Sequence, residues 1–398
     1  MTRTHLSDLL GRVLPSAFPG SYPRPGWFNE NLFGRDIVSA LRRDEAYAEA
    51  YKDAMRAMIG DQEDAGLDLL ADGHLWYDKH QGFMASFVLY NLERMEGVEI
   101  TPTWEKQRLR RGIVDEDNEM ALRALEEDTK GEIGNVAEAL FTSRIEVVGP
   151  LRDAGMHHAV NWSLAQQCTN RPVKAQFADG PIGLSTIPTN RHYKDRRAML
   201  RDLADIFNAE MLEAVAAGAR FVQLDDLFFN APREEWSFDV EIFNRVFDGV
   251  DAYKILHVCH GGTPGPPVGH APYPELFPYF AEINVDCFEL AFAQTGFRDD
   301  HLALLATPGF DKDVGVGAVS NKNYVIETPR EVADGLLKAC RYIEPERVHA
   351  SSDCGLFAYT RATAKAKLKS LARGAALARA ELGYDDAIGA EPAALGSE

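Results

Sequence analysis

The sequence predicts an α/β fold arranged as a (β/α)8 TIM barrel, and three observations carry that expectation. Short apolar runs rich in β-branched residues alternate with longer stretches whose apolar residues recur at three and four, the pattern of parallel strands joined by helices. Eight such strand runs can be counted, the number a closed barrel of this kind requires. The 398 residues, 45% of them hydrophobic, supply a core large enough for one barrel domain spanning 1–398.

In chain order, the first strand is LPSAF (14–18), and the helical stretch EAYAEAYKDAMRAMIGDQEDAG (45–66) leads to the second, LDLLAD (67–72). The third, PVKAQF (172–177), begins about 100 residues later, where spacings of roughly 30–45 hold elsewhere, so something is inserted between strands two and three. The insertion is expected at 84–142. Its segment 103–141 mixes dense alternating charge with a sparse apolar stripe, which reads as exposed helices, and an extra strand, RIEVVG (144–149), follows. Such an excursion either covers the barrel mouth or serves as a contact between copies in a homo-oligomer. A helix over 193–218 connects strand three to RFVQLDD (220–226). The remaining strands are KILHVCH (254–260), INVDCFEL (283–290), DVGVGAV (313–319) and RVHASSD (347–353), with a helix over 328–343 before the last. The tail 384–398 is unpatterned and rich in small residues, the composition of a flexible end.

Charge and composition narrow the function. With 42 Lys+Arg against 61 Asp+Glu the net charge is −19, a field that repels phosphate backbones and anionic lipid, so no nucleic-acid partner is expected. No apolar run reaches the ~18–20 residues that span a bilayer, which argues against a membrane protein. The N-terminus lacks the continuous apolar stretch of a signal peptide, which makes the cytoplasm the expected address. Five cysteines are too few, and odd in number, for a disulfide framework.

The residues with most chemical content end strands five, six and eight. His257 and Cys259 are two apart, so on a strand both side chains point to one face, and the same parity pairs Cys287 with Glu289. Cys354 follows RVHASSD at the carboxyl end of the last strand, where barrel enzymes keep their active sites. An imidazole, a carboxylate and two thiolates meeting there form a four-coordinate Zn²⁺ set.

At these residues the sequence resembles the zinc-dependent, cobalamin-independent methionine synthases, specifically their catalytic barrel. The matching stretches are LPSAFPGSYPRP (14–25), GLDLLADG (66–73), PVKAQFADGPIG (172–183), GARFVQLDD (218–226), HVCHGG (257–262), INVDCFEL (283–290) and SSDCGL (351–356). The resemblance implies zinc held by His257, Cys259, Glu289 and Cys354, the same four that strand parity selects. It further implies that Asp225 contacts the amino group of homocysteine and that Gly20 and Ser21 receive its carboxylate. The implied chemistry is activation of a small thiol, which is mostly protonated near pH 7 and becomes nucleophilic when its sulfur binds the metal, followed by transfer of a methyl or alkyl group from a donor. Related barrels join coenzyme M to epoxides, so a different thiol and donor form the alternative within this chemistry. An alternative of another class is a zinc-free lyase similar to uroporphyrinogen decarboxylase, against which the H-x-C and D-C-G motifs argue.

The chain departs from the family pattern in three places. His74 follows Asp72-Gly73 where the family has a Glu, so it lacks the second counter-charge for an ammonium group and is expected in a substrate-binding, anion-binding or acid-base role. The tryptophan that stacks on folate would fall near Ile187, and Lys322 stands where the family has a histidine acid. Trp76, in the loop after His74, is a candidate pocket wall. Gly315 and Gly317 form only a fragment of a dinucleotide fingerprint and are read as close strand packing.

Overall fold

The structure, a computed structural model, describes residues 4–28, 37–75, 85–102, 143–226, 233–261, 264 and 273–384. Its centre is a curled, all-parallel sheet of seven strands: β1 (Leu70–Ala71), β4 (Val173–Phe177), β6 (Phe221–Asp226), β7 (Tyr253–Val258), β8 (Cys287–Ala291), β9 (Asp313–Val319) and β10 (Val348–Ser352), adjacent in that order. These correspond to the second through eighth strands read from the sequence.

The first expected strand, 14–18, is a single bridge between Ser16 and Ala350. Pro15 and Pro19 bracket it and lack the N–H a ladder needs, so the pairing is confined to the residues between them. The segment nevertheless bonds to both edges of the sheet. Ala350 N donates to Pro15 O at 2.8 Å and Ala17 N to Ala350 O at 2.9 Å, while Asp68 N and Leu69 N both donate to Ser16 O. Residues 15–17 thus join β10 to the approach of β1.

Helices return the chain between strands, and several carry the start signals that their sequences encode. Glu45–Ala65 begins at Asp44, whose carboxylate accepts from Tyr47 N, and ends at Gly66 in the left-handed region at φ 92°. Arg196–Ala216 is capped by Asp195, and Pro329–Ala339 has a Thr328/Glu331 capping box with proline in its first turn. The short helix Leu6–Leu10 lies under the amino ends of the strands. There Leu6 packs with Leu69, Phe221, Tyr253, Ile255 and Cys287, and Asp313 accepts from Leu6 N and contacts His5 Nδ1.

The helices expected at 103–141 fall outside the described residues, and only the flanks of the insertion are described. Helix Ala85–Leu92 is followed by β2 (Met95–Pro102), which pairs antiparallel with β3 (Ser143–Asp153), and β5 (Thr189–Asn190) adds a parallel edge. The extra strand expected at 144–149 is the core of β3. The ladder runs out to a Pro102–Ser143 pair, so the chain leaves and re-enters this ribbon at adjacent points. Residues 103–142 and the tail from 385 lie outside the described residues. Asn91, fully buried, donates to the Ala178 carbonyl just past β4 and anchors the insertion to the carboxyl end of the sheet.

Candidate metal centre

The register of the sheet sets the site. Asp225 on β6 is opposite His257 on β7, and His257 is opposite Glu289 on β8. Cys259 lies one residue beyond β7 and Cys354 two beyond β10. His257 Nε2 is 3.4 Å from Cys354 Sγ, and Cys259 Sγ is 3.5 Å from the same sulfur. Ligand atoms of these three residues lie within 4.8 Å of one another, as one metal ion requires.

Glu289, the fourth expected ligand, is not among the residues whose ligand atoms come within that spacing; it stands beside the trio, fully buried, with Oε1 receiving Lys174 Nζ at 3.0 Å and facing His349 Nε2 at 3.1 Å. Its Oε2 is also buried and has no partner among the described residues. An ionised buried oxygen without a donor is costly unless something cationic meets it. One imidazole, two thiols and this oxygen make a donor set suited to zinc, so the residues present fit that ion. Cys287, two residues before Glu289, is outside the trio. It is buried against the base of the sheet, with Sγ 3.7 Å from His349 Nδ1.

The local electrostatics follow from crowding. Contact with Cys354, then burial, pushes the Cys259 thiol well above its ordinary pKa. Burial opposes charge on His257, yet Cys259, Asp225 and Glu289 raise it to about 9. Burial likewise opposes charge on Glu289, but Lys174 and His349 hold it down at about 2. Desolvation lifts Asp225 to about 6 against the pull of His257 and Gln223, whose amide donates to Asp225 at 2.5 Å.

Two structural devices set the positions of these side chains, and sequence reasoning missed the first. Asp353 accepts three backbone N–H groups at the end of β8, from Phe292, Ala293 and Gln294 at 2.9, 3.0 and 2.6 Å, and so fixes the turn before Cys354. The two glycines of β9 make room for this chemistry. A Cβ on Gly315 would stand 2.5 Å from His349 Nε2 and 2.7 Å from Glu289 Cγ, and one on Gly317 would strike Asp353. Their reading as close-packing residues agrees with these contacts.

The candidate substrate residues fall around the same end of the sheet. Gly20 has φ +117°, and a Cβ there would overlap the Gln176 amide, so only glycine fits. Ser21 packs on Gly355, next to Cys354, and its carbonyl accepts Leu356 N at 2.7 Å. His74 is buried with φ +50°, and its backbone N donates to Asp72. Burial first, then the nearby His158 and Lys174 charges, hold its pKa well below the usual value. The ring is therefore neutral near pH 7 and offers a hydrogen bond instead of a charge. Lys322 Nζ donates to the carbonyls of His260, at 3.0 Å, and Gly261, tying down the turn after Cys259. Ile187 packs against the core. Trp76 lies outside the described residues.

Fold and site together define a class: α/β proteins that gather an imidazole and two thiols at the carboxyl ends of parallel strands, as catalytic metal sites do. Comparison with known proteins gives the family. Residues 105–377 match the profile described as "Cobalamin-independent synthase, Catalytic domain", and the chain belongs to that family. Methionine synthases of Saccharolobus islandicus and Saccharolobus solfataricus are each 29% identical to it, over 370 and 373 residues, covering 93% of this chain and 96% of theirs. A B12-independent methionine synthase from a Shewanella species, solved with selenomethionine, superposes with a TM-score of 0.71 at 24% identity, covering 93% of this chain and 99% of that one. A putative vitamin-B12 independent methionine synthase from Listeria monocytogenes gives 0.59 at 16% identity, with 92% and 98% covered. No described helix is long and apolar enough to cross a membrane.

Proposed function

We propose that this chain is a zinc-dependent S-methyl or S-alkyl transferase acting on a small thiol, with methyl transfer to homocysteine as the leading reaction. The convergence of His257, Cys259 and Cys354 carries the reading, and membership of the cobalamin-independent synthase family gives it its reaction class. His257, Cys259, Cys354 and Glu289 would hold the ion. Zinc bound there would supply the Lewis acidity that ionises a substrate thiol near neutral pH.

The chain's own groups do the rest. Asp225, ionised above a pKa of about 6, binds the ammonium of an amino-acid thiol. The Gly20-Ser21 turn receives its carboxylate, and the packing of Ser21 on Gly355 supports a position close to Cys354. Asp353 keeps the Cys354 turn in place before substrate arrives. Lys322 braces the Cys259 loop, and to give a proton to a leaving group it would have to release the carbonyls it now holds. The neutral ring of His74 favours the second reading within this chemistry, a thiol other than homocysteine, such as coenzyme M, joined to an epoxide or another alkyl donor.

Metal analysis of the purified full-length protein tests the reading. We expect one zinc per chain, lost in folded Cys259→Ser and Cys354→Ser variants together with thiol alkylation. A panel of homocysteine, coenzyme M and other small thiols, scored by proton release on binding, identifies the substrate. Wild-type protein that neither holds zinc nor responds to added zinc would overturn the proposal.

A further inference from the structure

Lys174 is the least expected charge in the fold. It is fully buried on β4, and a lysine keeps its charge inside a sheet only when strong acceptors surround the ammonium group. Two do: Glu289 Oε1 at 3.0 Å and the Gln223 amide oxygen. His349, reaching in from β10, grips the same Glu289 oxygen at 3.1 Å. Both contacts thus fall on one oxygen. The other, Oε2, remains buried without a partner, on the residue directly opposite His257. The space for this clasp exists because Gly315, on the intervening strand, has no Cβ.

We propose that Lys174 and His349 are positioning residues that fix Glu289 by one carboxylate oxygen and present the other to the metal held by His257, Cys259 and Cys354. The proposal rests on the zinc reading given above. An isolated structural ion pair gives no reason for the second oxygen to be left bare, since a lysine and an imidazole have donors enough to share between the two. Lys174 also reaches the thiol side of the site. Its bond to the Gln223 oxygen turns the Gln223 amide nitrogen toward Asp225, at 2.5 Å, and toward the Pro19 carbonyl, at 2.6 Å, just before Gly20. One buried cation therefore orients both the fourth metal donor and the carboxylate assigned to the substrate ammonium.

The experiment measures zinc affinity of the full-length protein by chelator competition and records the visible spectrum of the cobalt-substituted form, which reports ligand number and type. Removing an outer partner of a metal ligand typically lowers affinity about 10- to 100-fold. We expect that loss for Lys174→Met and His349→Phe, matching Glu289→Gln, with the same change in cobalt spectrum in all three. His349→Gln, which keeps a donor, should stay close to wild type. Should Lys174→Met fail to fold with Glu289 uncompensated, His349→Phe and the charge-free double variant Lys174→Met/Glu289→Gln decide, the double variant binding zinc no more weakly than Glu289→Gln alone. Folded variants with wild-type zinc affinity and an unchanged cobalt spectrum would overturn the proposal while leaving the zinc reading intact. A wild-type protein that holds no zinc removes both.

Discussion

Gly315→Ala adds one methyl group at the most crowded point of the sheet interior. Its Cβ would lie 2.5 Å from His349 Nε2, 2.6 Å from His349 Cε1 and 2.7 Å from Glu289 Cγ, so each neighbour must retreat by about 1 Å to regain ordinary contact. The backbone at 315 cannot yield instead, because β9 is paired to Glu289 on one side and to His349 on the other. Overpacking of this kind costs about 1–3 kcal/mol. The displaced neighbours also lose a charge-assisted contact of 3.1 Å, a further loss of about 1.5–3 kcal/mol when one partner is buried and ionised. The expected destabilisation is therefore about 2.5–6 kcal/mol, read as a lower urea midpoint at unchanged slope, together with weaker zinc retention. Ala at 315 with a midpoint near that of wild type and full zinc content would refute the reasoning, since it would mean that Glu289 and His349 are not clasped across this strand.

Other expectations follow from the same geometry. Asp225 has a folded pKa near 6, above the value of about 3.9 in an unfolded chain, so its ionisation costs stability that is absent at pH 4, grows as pH rises to about 6 and is constant above. Asp225→Asn should thus be more stable than wild type at pH 8, by about 1–2 kcal/mol after discount for partial exposure, and equal to it at pH 4, while losing homocysteine binding. A stability difference that does not vary between pH 4 and pH 8 would contradict this. His74→Glu restores a second carboxylate for an ammonium group and should tighten homocysteine binding by about one to two powers of ten in calorimetric titration. Tight micromolar binding by wild type, weakened by the substitution, would restore ordinary methionine synthesis as the answer and remove the case for another thiol. Replacing residues 103–142 by a short turn should leave a folded protein with altered turnover or oligomeric state, because Pro102 and Ser143 are already paired; unfolding on excision would show that the segment belongs to the core.

Much of this was readable from residue order because parallel strands that are buried on both faces announce themselves as apolar runs, and period-two parity then fixes which side chains share an interior. That parity brought His257, Cys259 and Cys354 together on paper as in space. The same rule selects Glu289, which stands beside the trio without joining it, and its tie to Lys174 was not foreseen, since only the pairing of the strands places that lysine at the centre. His349, in RVHASSD, was not singled out: the close packing read at Gly315 and Gly317 does not say which side chain of the next strand fills the space. The pairing of 95–102 with 143–153 was not foreseen, because the two partners lie across a long gap that no local pattern bridges; the helices expected at 103–141 fall outside the described residues.

The contact between Ser16 and Ala350 also bears on how the molecule comes into being. A ribosome releases residue 16 long before Ala350, the partner that completes its neighbourhood. Until then the nascent protein carries an open sheet with an unpaired edge, and Cys354, two residues beyond Ser352 at the end of that edge strand, has not yet joined its fellow thiol. The Ser16–Ala350 pairing, the packing of Ser21 on Gly355 and the arrival of Cys354 therefore coincide in one event with large sequence separation, the kind of step that limits folding rate. A chain cut short before residue 350 has neither the Ser16–Ala350 bridge nor Cys354.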